Sequence, residues 1–167
     1  MAKANEEFTY FWGSESPFSQ WHKSIFTLDG ITFNCAEQYM MYQKAVVFDD
    51  QNMATKILHT KDPGMQKKLG RQVQNFDVEV WNEKCRDIVK KGNKAKFSQN
   101  PELKKKLLAT GDTVLVEASP NDRIWGIGLS EHDPRAKDKS NWQGTNWLGY
   151  ALTEVKNELR DNTKVSS

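Results

Sequence analysis

Apolar positions along the chain follow two spacings, and the elements divide where one spacing gives way to the other. Residues 8–12 mix aromatic and β-branched side chains at strand spacing and end at Gly13 in the polar turn GSESP. SIFTL and ITF, separated by Asp29-Gly30, give the strongest hairpin signal, because a type I′ turn needs positive φ at both central residues and Asp-Gly supplies it. The hairpin leads straight into NCAEQYMMYQKAVVF, residues 34–48, where Met41, Lys44 and Phe48 fall below Glu37 on one helical face. Asn34 is the expected N-cap, which puts Glu37 at the third helical position. Glu37 then has two readings. A partly buried acid beside a cation is a site candidate. Asn-x-x-Glu is also the pattern of a capping box, with Glu37 reaching back to the Asn34 N–H.

The middle third is helical. Asp62 and Pro63 open, and Gly70 closes, a short helix around MQKKL, with Arg71 immediately after it. From Asp77 onward Val78, Trp81, Cys85, Ile88, Gly92 and Ala95 recur at helical spacing, predicting one long amphipathic helix with Lys84, Arg86, Lys90 and Lys91 on its solvated face. Asn100 and Pro101 start another, ELKKKLLAT, closed by Gly111. TVLVEA, 113–118, is an apolar run too short for a helix and rich in β-branched residues, which predicts a buried strand. The turn SPND follows, and then RIWGIG, so a carboxylate, a cation and an indole stand beside glycines that permit close backbone approach. The polar stretch 130–145, apolar only at Trp142, is longer than ordinary connections and reads as functional or mobile. Asn146 is the expected cap of a last helix with the stripe Leu148, Leu152, Val155 and Leu159.

These elements predict an α+β fold: one mostly helical domain over residues 8–160, packed around a small, largely antiparallel sheet. The sheet is expected to join the 8–12 strand, the 25–33 hairpin and the 113–118 strand. The stripe Trp81, Cys85 and Ile88 is expected to pack with Leu148, Leu152 and Val155. Residues 1–7 and 161–167 are expected to be flexible.

Composition narrows the class. A chain of 167 residues with six Trp can build one core. The net charge of +2 gives no global field that demands nucleic acid or membrane. Cys35 and Cys85 form no CxxC and no Cys/His cluster, so neither a disulfide framework nor a metal site is expected. No h-region and no apolar run of roughly 18 residues occurs, which predicts a soluble, cytoplasmic protein without membrane contact. His22, His59 and His132 lack ligand spacing, and Gly126-x-Gly128 lacks the third glycine of a dinucleotide fingerprint. Cys35 beside Glu37 is read as a packed thiol rather than a nucleophile.

The motifs FSQW (18–21), AEQYMMYQKA (36–45), KKLGRQV (67–73), FDVEVWNEKCRDIVKKGNKAKFSQNPEL, SPNDRIWGIGLS (119–130) and NWLGYALTEV (146–155) occur in one order and spacing. In them the chain resembles the YbiA-like N-glycosidases, the NADAR family, from about Tyr10 to Leu159. The resemblance implies hydrolysis of an N-glycosidic bond in ribose-linked substrates, with no metal and no organic cofactor. Two substrate classes are implied: early ribosylamino-pyrimidine phosphates of riboflavin biosynthesis, or ADP-ribose on guanine in nucleotides or nucleic acid. Nucleic acid then enters only as an ADP-ribosylated substrate. A third reading is a non-catalytic binding module for ADP-ribose-like ligands, which retention of Glu37 and Asp122 disfavours.

The family's acid falls on Glu37, its Lys on Lys44, and its ND-x-x-WG pattern on Asn121, Asp122, Trp125 and Gly126. The resemblance implies catalytic roles for Glu37 and Asp122, and substrate contacts at Trp125, Gly126, Lys44, Arg71, Phe18, Ser19 and Asn146. The chain departs from some members at Gln38, where they carry His, and at Gln20, where they carry Asn. Breaking a ribosyl C1′–N bond passes through an oxocarbenium-like ribose, which calls for a carboxylate and for something to hold the leaving base. Glu37 suits the first task and Trp125 the second, while Lys44 and Arg71 suit a phosphate. On this reading Glu37, Asp122 and Trp125 line one cleft, with Lys44 or Arg71 at its phosphate end. The alternative is that Trp125 anchors a core and Asp122 holds its own turn.

Overall fold

The Asp29-Gly30 turn adopts the backbone that its sequence demands, with φ of 51° and 79°. It joins β2 (Phe26–Leu28) to β3 (Ile31–Phe33) as an antiparallel pair. The structure, a computed structural model, describes residues 7–165, and these divide into two compact units. One is Gln20–Pro101; the other combines the residues up to Ser19 with those from Glu102 onward.

In the Gln20–Pro101 unit the hairpin is followed by α1 (Ala36–Val47), α2 (Gln51–Leu58), α3 (Pro63–Gly70) and α4 (Val78–Gln99). Carboxylates start three of them: Asp50, Asp62 and Asp77 accept first-turn N–H groups of α2, α3 and α4. α1 is the hub, packed on α2, α3, α4 and β3. Phe26, Phe33, Tyr39 and Ala95 form a buried cluster there. Glycines let the helices approach: a Cβ on Gly70 would sit 2.0 Å from the Met41 sulfur, and one on Gly92 2.6 Å from the Tyr39 ring. Gly70 is the last residue of α3, as expected, and its missing side chain also makes room for Met41. α2 was not marked by any run of periodic apolar residues.

In the other unit β1 (Phe8–Phe11) pairs in parallel with β4 (Val114–Glu117), and α6 (Trp147–Val165) packs on β4; α5 (Pro101–Leu108) precedes β4. Val116, Ile127, Leu129 and Ala136 are buried together under Phe8, Tyr10 and Trp142. The stretch 130–145 is built rather than loose: it holds 3-10 turns at Pro134–Lys137 and Lys139–Asn141, and the Ala136 carbonyl accepts from both the Tyr10 hydroxyl and the Trp142 indole.

The class is α+β and mostly helical, as the sequence predicts. Two details differ. Among the described residues the strands form two separate two-stranded sheets, one of them parallel, instead of one small sheet. Trp81 and Leu152 are both buried, as expected of the two stripes; within their units α4 packs on α1 and β2, and α6 on β4. α6 runs on to Val165, past the expected end at 160, and the expectation for residues 1–6 lies outside the described residues. No helix of the described residues is long and apolar enough to cross a membrane.

Candidate active site

The start of α1 lies one residue later than the spacing predicts. Cys35, not Asn34, is the N-cap, and its side chain makes no capping bond. Glu37 therefore stands at the second helical position, and Gln38 takes the third. It is Gln38 Oε1 that accepts the Asn34 N–H, at 2.8 Å, while Gln38 Nε2 donates to the Ile57 carbonyl at 3.1 Å. The capping-box reading of Glu37 is overturned by this shift, because the N–H it would have taken is held by its neighbour. Asn34 instead spends its carboxamide on α3 and the loop before it, donating to the Lys61 carbonyl and accepting from Gln66 Nε2.

Glu37 is buried, at 7% exposure, at a helix N-terminus, where the dipole favours a negative charge. Its own N–H donates to the Gln20 carbonyl at 2.9 Å. The Gln20 side chain is fixed in turn: Asn93 Nδ2 donates to Gln20 Oε1 at 2.8 Å and to the Val89 carbonyl at 2.9 Å. Because Val89 offers only a carbonyl, the amide orientations of Asn93 and then of Gln20 are set. Gln38 and Gln20 both support the turn that presents Glu37.

Lys44 lies two turns below Glu37, with Nζ 4.5 Å from the centre of the Phe76 ring and 5.8 Å from that of Trp81. Burial lowers its pKa, Glu37 acts against that shift, and Arg71 reinforces it. Glu37, Lys44 and Arg71 thus share one electrostatic neighbourhood. Two cations against one carboxylate leave a charge of +1.

Cys35 is a packed thiol, as the sequence predicts, whereas the buried Lys96 near it was not among the predicted site residues. Burial pushes the Cys35 thiol up to about 11, with Glu37 adding to the shift, and the thiol donates to Gln66 Oε1 at 3.2 Å. Lys96 is wholly buried, and burial pulls its amine down to about 7 against the opposing influence of Cys35. Its signal was present: Lys96 continues the series 85, 89, 92 on the apolar face of α4, where a lysine is out of place.

The remaining candidates lie in the other unit. Asp122 Oδ1 accepts from the Ile124 and Trp125 N–H groups, each at 2.9 Å, so this carboxylate closes its own turn. Trp125 is half-buried edge-on to Trp147, ring centres 5.7 Å apart. A Cβ on Gly126 would sit 2.8 Å from the Glu117 carbonyl. Phe18 and Ser19 are buried, Phe18 against Phe11. Asn146, expected to cap α6, inserts its carboxamide into β4 instead: Oδ1 accepts from Glu117 N at 3.0 Å and Nδ2 donates to the Leu115 carbonyl at 3.1 Å. Among the described residues no three His, Cys, Asp or Glu side chains group as metal ligands.

The Gln20–Pro101 unit thus carries a buried acid at a helix start, braced through Gln20 and Gln38, in the electrostatic neighbourhood of two cations. The NADAR domain model matches residues 10–160, and the chain belongs to that family. An N-glycosidase of Acanthamoeba polyphaga mimivirus is 44% identical over 146 residues, covering 84% of this chain and 86% of that protein. The irg-1 protein of Caenorhabditis elegans is 42% identical over 131 residues, 77% of this chain; the match spans 62% of the nematode protein, less than two thirds of it. The NMR structure of the Escherichia coli protein YbiA superposes with a TM-score of 0.78 at 27% identity, covering 96% of this chain and 89% of that one.

Proposed function

We infer that the chain is a hydrolase of N-glycosyl compounds that cleaves the C1′–N bond of a ribose-linked substrate, with Glu37 as the working carboxylate. The supporting observation is the frame of α1: Gln38 takes the Asn34 N–H, and Glu37 is a buried acid in the electrostatic neighbourhood of Lys44 and Arg71. Glu37 takes a proton from water as the water oxygen bonds to C1′; the C1′–N pair leaves with the base, which gains a proton. Of the two carboxylates expected to share this work, Glu37 is the one assigned to it, since Asp122 Oδ1 is committed to its turn. The +1 charge at Lys44 and Arg71 suits a substrate phosphate.

The first substrate reading is an early ribosylamino-pyrimidine phosphate of riboflavin biosynthesis. A second, ADP-ribose on guanine, is favoured by the half-exposed Phe76 ring beside Lys44. The test incubates purified protein with each class and follows free base. Glu37→Gln keeps size and hydrogen bonding but not the charge, and is expected to lose at least ~10²-fold in turnover with little change in melting. Near wild-type turnover in this variant refutes the catalytic role.

A further inference from the structure

An asparagine is out of place at position 93. It sits on the apolar face of α4, wholly buried, one turn beyond Val89 and beside Gly92. Its Nδ2 donates twice, to Gln20 Oε1 at 2.8 Å and to the Val89 carbonyl at 2.9 Å, but its Oδ1 is buried without a partner among the described residues. A buried acceptor left unfilled costs stability, so a residue kept at this point of the stripe for packing alone would be apolar. What Asn93 offers in return is a donor aimed across to Gln20.

Gln20 is where that donor has its effect. Its backbone carbonyl receives the Glu37 N–H at 2.9 Å. The first N–H groups of a helix find no partner inside the helix, and the Cys35 side chain supplies none, so the Gln20 carbonyl takes the place of a cap on the very residue that carries the carboxylate. The other end of the Gln20 side chain is weakly held: Nε2 meets the Met40 sulfur at 3.8 Å, and a thioether is a poor acceptor. The firm tie is therefore Asn93. Gly92 beside it sets the spacing, because its missing side chain lets α4 lie against the Tyr39 ring, two residues past Glu37. We propose that Asn93 and Gln20 are positioning residues for the cleavage: Asn93 fixes Gln20 from α4, and Gln20 fixes the first turn of α1, so that the Glu37 carboxylate keeps one place against the reacting carbon. The proposal rests on Glu37 being the reacting acid, but the brace is also read without substrate.

The test exchanges the lengths of the two arms. Gln20→Asn shortens the link by one methylene, Asn93→Gln restores the length from the other side, and Asn93→Leu removes the donor and the unfilled acceptor together. Each variant of the full chain is followed by hydrogen exchange at the Glu37 amide, by melting, and by kcat and KM for base release from the ribosylamino-pyrimidine phosphate and from ADP-ribosylated guanine. A displacement of about 1 Å costs up to ~10²-fold in rate, so Gln20→Asn and Asn93→Leu are each expected to lose on the order of tenfold in kcat at unchanged KM. The Glu37 amide is expected to exchange faster in both, with melting close to wild type. Gln20→Asn combined with Asn93→Gln is expected to recover most of both losses. Unchanged exchange at Glu37, a double variant no better than Gln20→Asn alone, or lowered melting with kcat intact overturns the proposal. A wild type that releases base from neither substrate, or full turnover in Glu37→Gln, sinks the reading of the reaction instead, and the exchange data alone then decide the brace.

Discussion

The carboxamide of Asn146 completes β4 as a neighbouring strand would, and its removal isolates what that substitution of side chain for backbone contributes. Asn146→Ala strips the partner from the Glu117 N–H and from the Leu115 carbonyl, both inside the fold. Each buried backbone group left unpaired costs about 1–3 kcal/mol, and the Glu117 N–H is only part-buried, so the sum is set near ~3 kcal/mol. Asn146 also holds a φ of 53°, which alanine adopts at a further cost of roughly 1–2 kcal/mol. Asn146→Gly removes that strain and keeps the lost bonds, so it should be about 1 kcal/mol more stable than the alanine variant. Asn146→Asp keeps the acceptor for Glu117 but turns a carboxylate oxygen toward the Leu115 carbonyl, so it should be no better than alanine at neutral pH. It should recover as the pH is lowered and the acid, its pKa raised by burial and by the facing carbonyl, takes the proton with which it can donate. At ~2–4 °C per kcal/mol the alanine variant, about 4–5 kcal/mol less stable, should melt roughly 8–20 °C below wild type. Thermal melts by circular dichroism, with hydrogen exchange at the Glu117 amide, read both effects. A wild-type melting point in Asn146→Ala together with lost substrate affinity would refute this account and return Asn146 to the substrate.

Two further outcomes follow from the groups around Glu37. With its thiol near 11, two units above the ordinary value, Cys35 should carry about a hundredfold less thiolate than a free cysteine at pH 8, so iodoacetamide should label it only after denaturation; rapid native labelling contradicts the burial. Lys96 is neutral in the folded chain above about pH 7 while the unfolded chain stays protonated to about 10.5, so the unfolded state binds more protons in that window and stability gains with rising pH. Stability curves from pH 7 to 9 should therefore rise for wild type relative to Lys96→Met, and parallel curves would show that the amine is not desolvated as described.

What the sequence disclosed was what local chemistry controls. Asp29-Gly30 fixes the hairpin through φ alone, and Asp62-Pro63 and Asp77 start their helices through side-chain acceptors within three residues. Less was legible where the partner is remote. The register of Phe8 with Val114 is a pairing across more than a hundred residues, and neither strand carries a mark of the other or of the parallel direction. α2 hid because only Met53, Ala54 and Ile57 are buried in its eight residues, too short a stripe to register as a period. Asn146 was read as a cap because asparagine before an apolar stripe usually is one; its positive φ aims the amide at β4 instead. The candidate site was legible as a grouping of Glu37, Lys44 and Arg71 on and beside one helical face. The roles were less so, since Lys96 and Asn93 join through α4.

The one-residue displacement at the start of α1 carries the most consequence for chemistry. Had Asn34 capped, Glu37 would have held the third position, where its carboxylate is spent on a backbone N–H and its charge is a helix-starting device. With Cys35 as cap, that demand falls on Gln38, whose carboxamide can meet it with Oε1 and still donate Nε2 to the end of α2. A histidine at this position would also offer one acceptor and one donor on opposite edges of a short side chain, and so could fill the same two posts. Asparagine in place of Gln20 leaves the backbone carbonyl that receives the Glu37 N–H untouched and shortens only the arm toward Asn93. Gln38 and Gln20 therefore bear on how the turn that carries Glu37 is braced. Differences in substrate among relatives are better sought beyond Lys44, along the face that ends at Phe76 and Phe48.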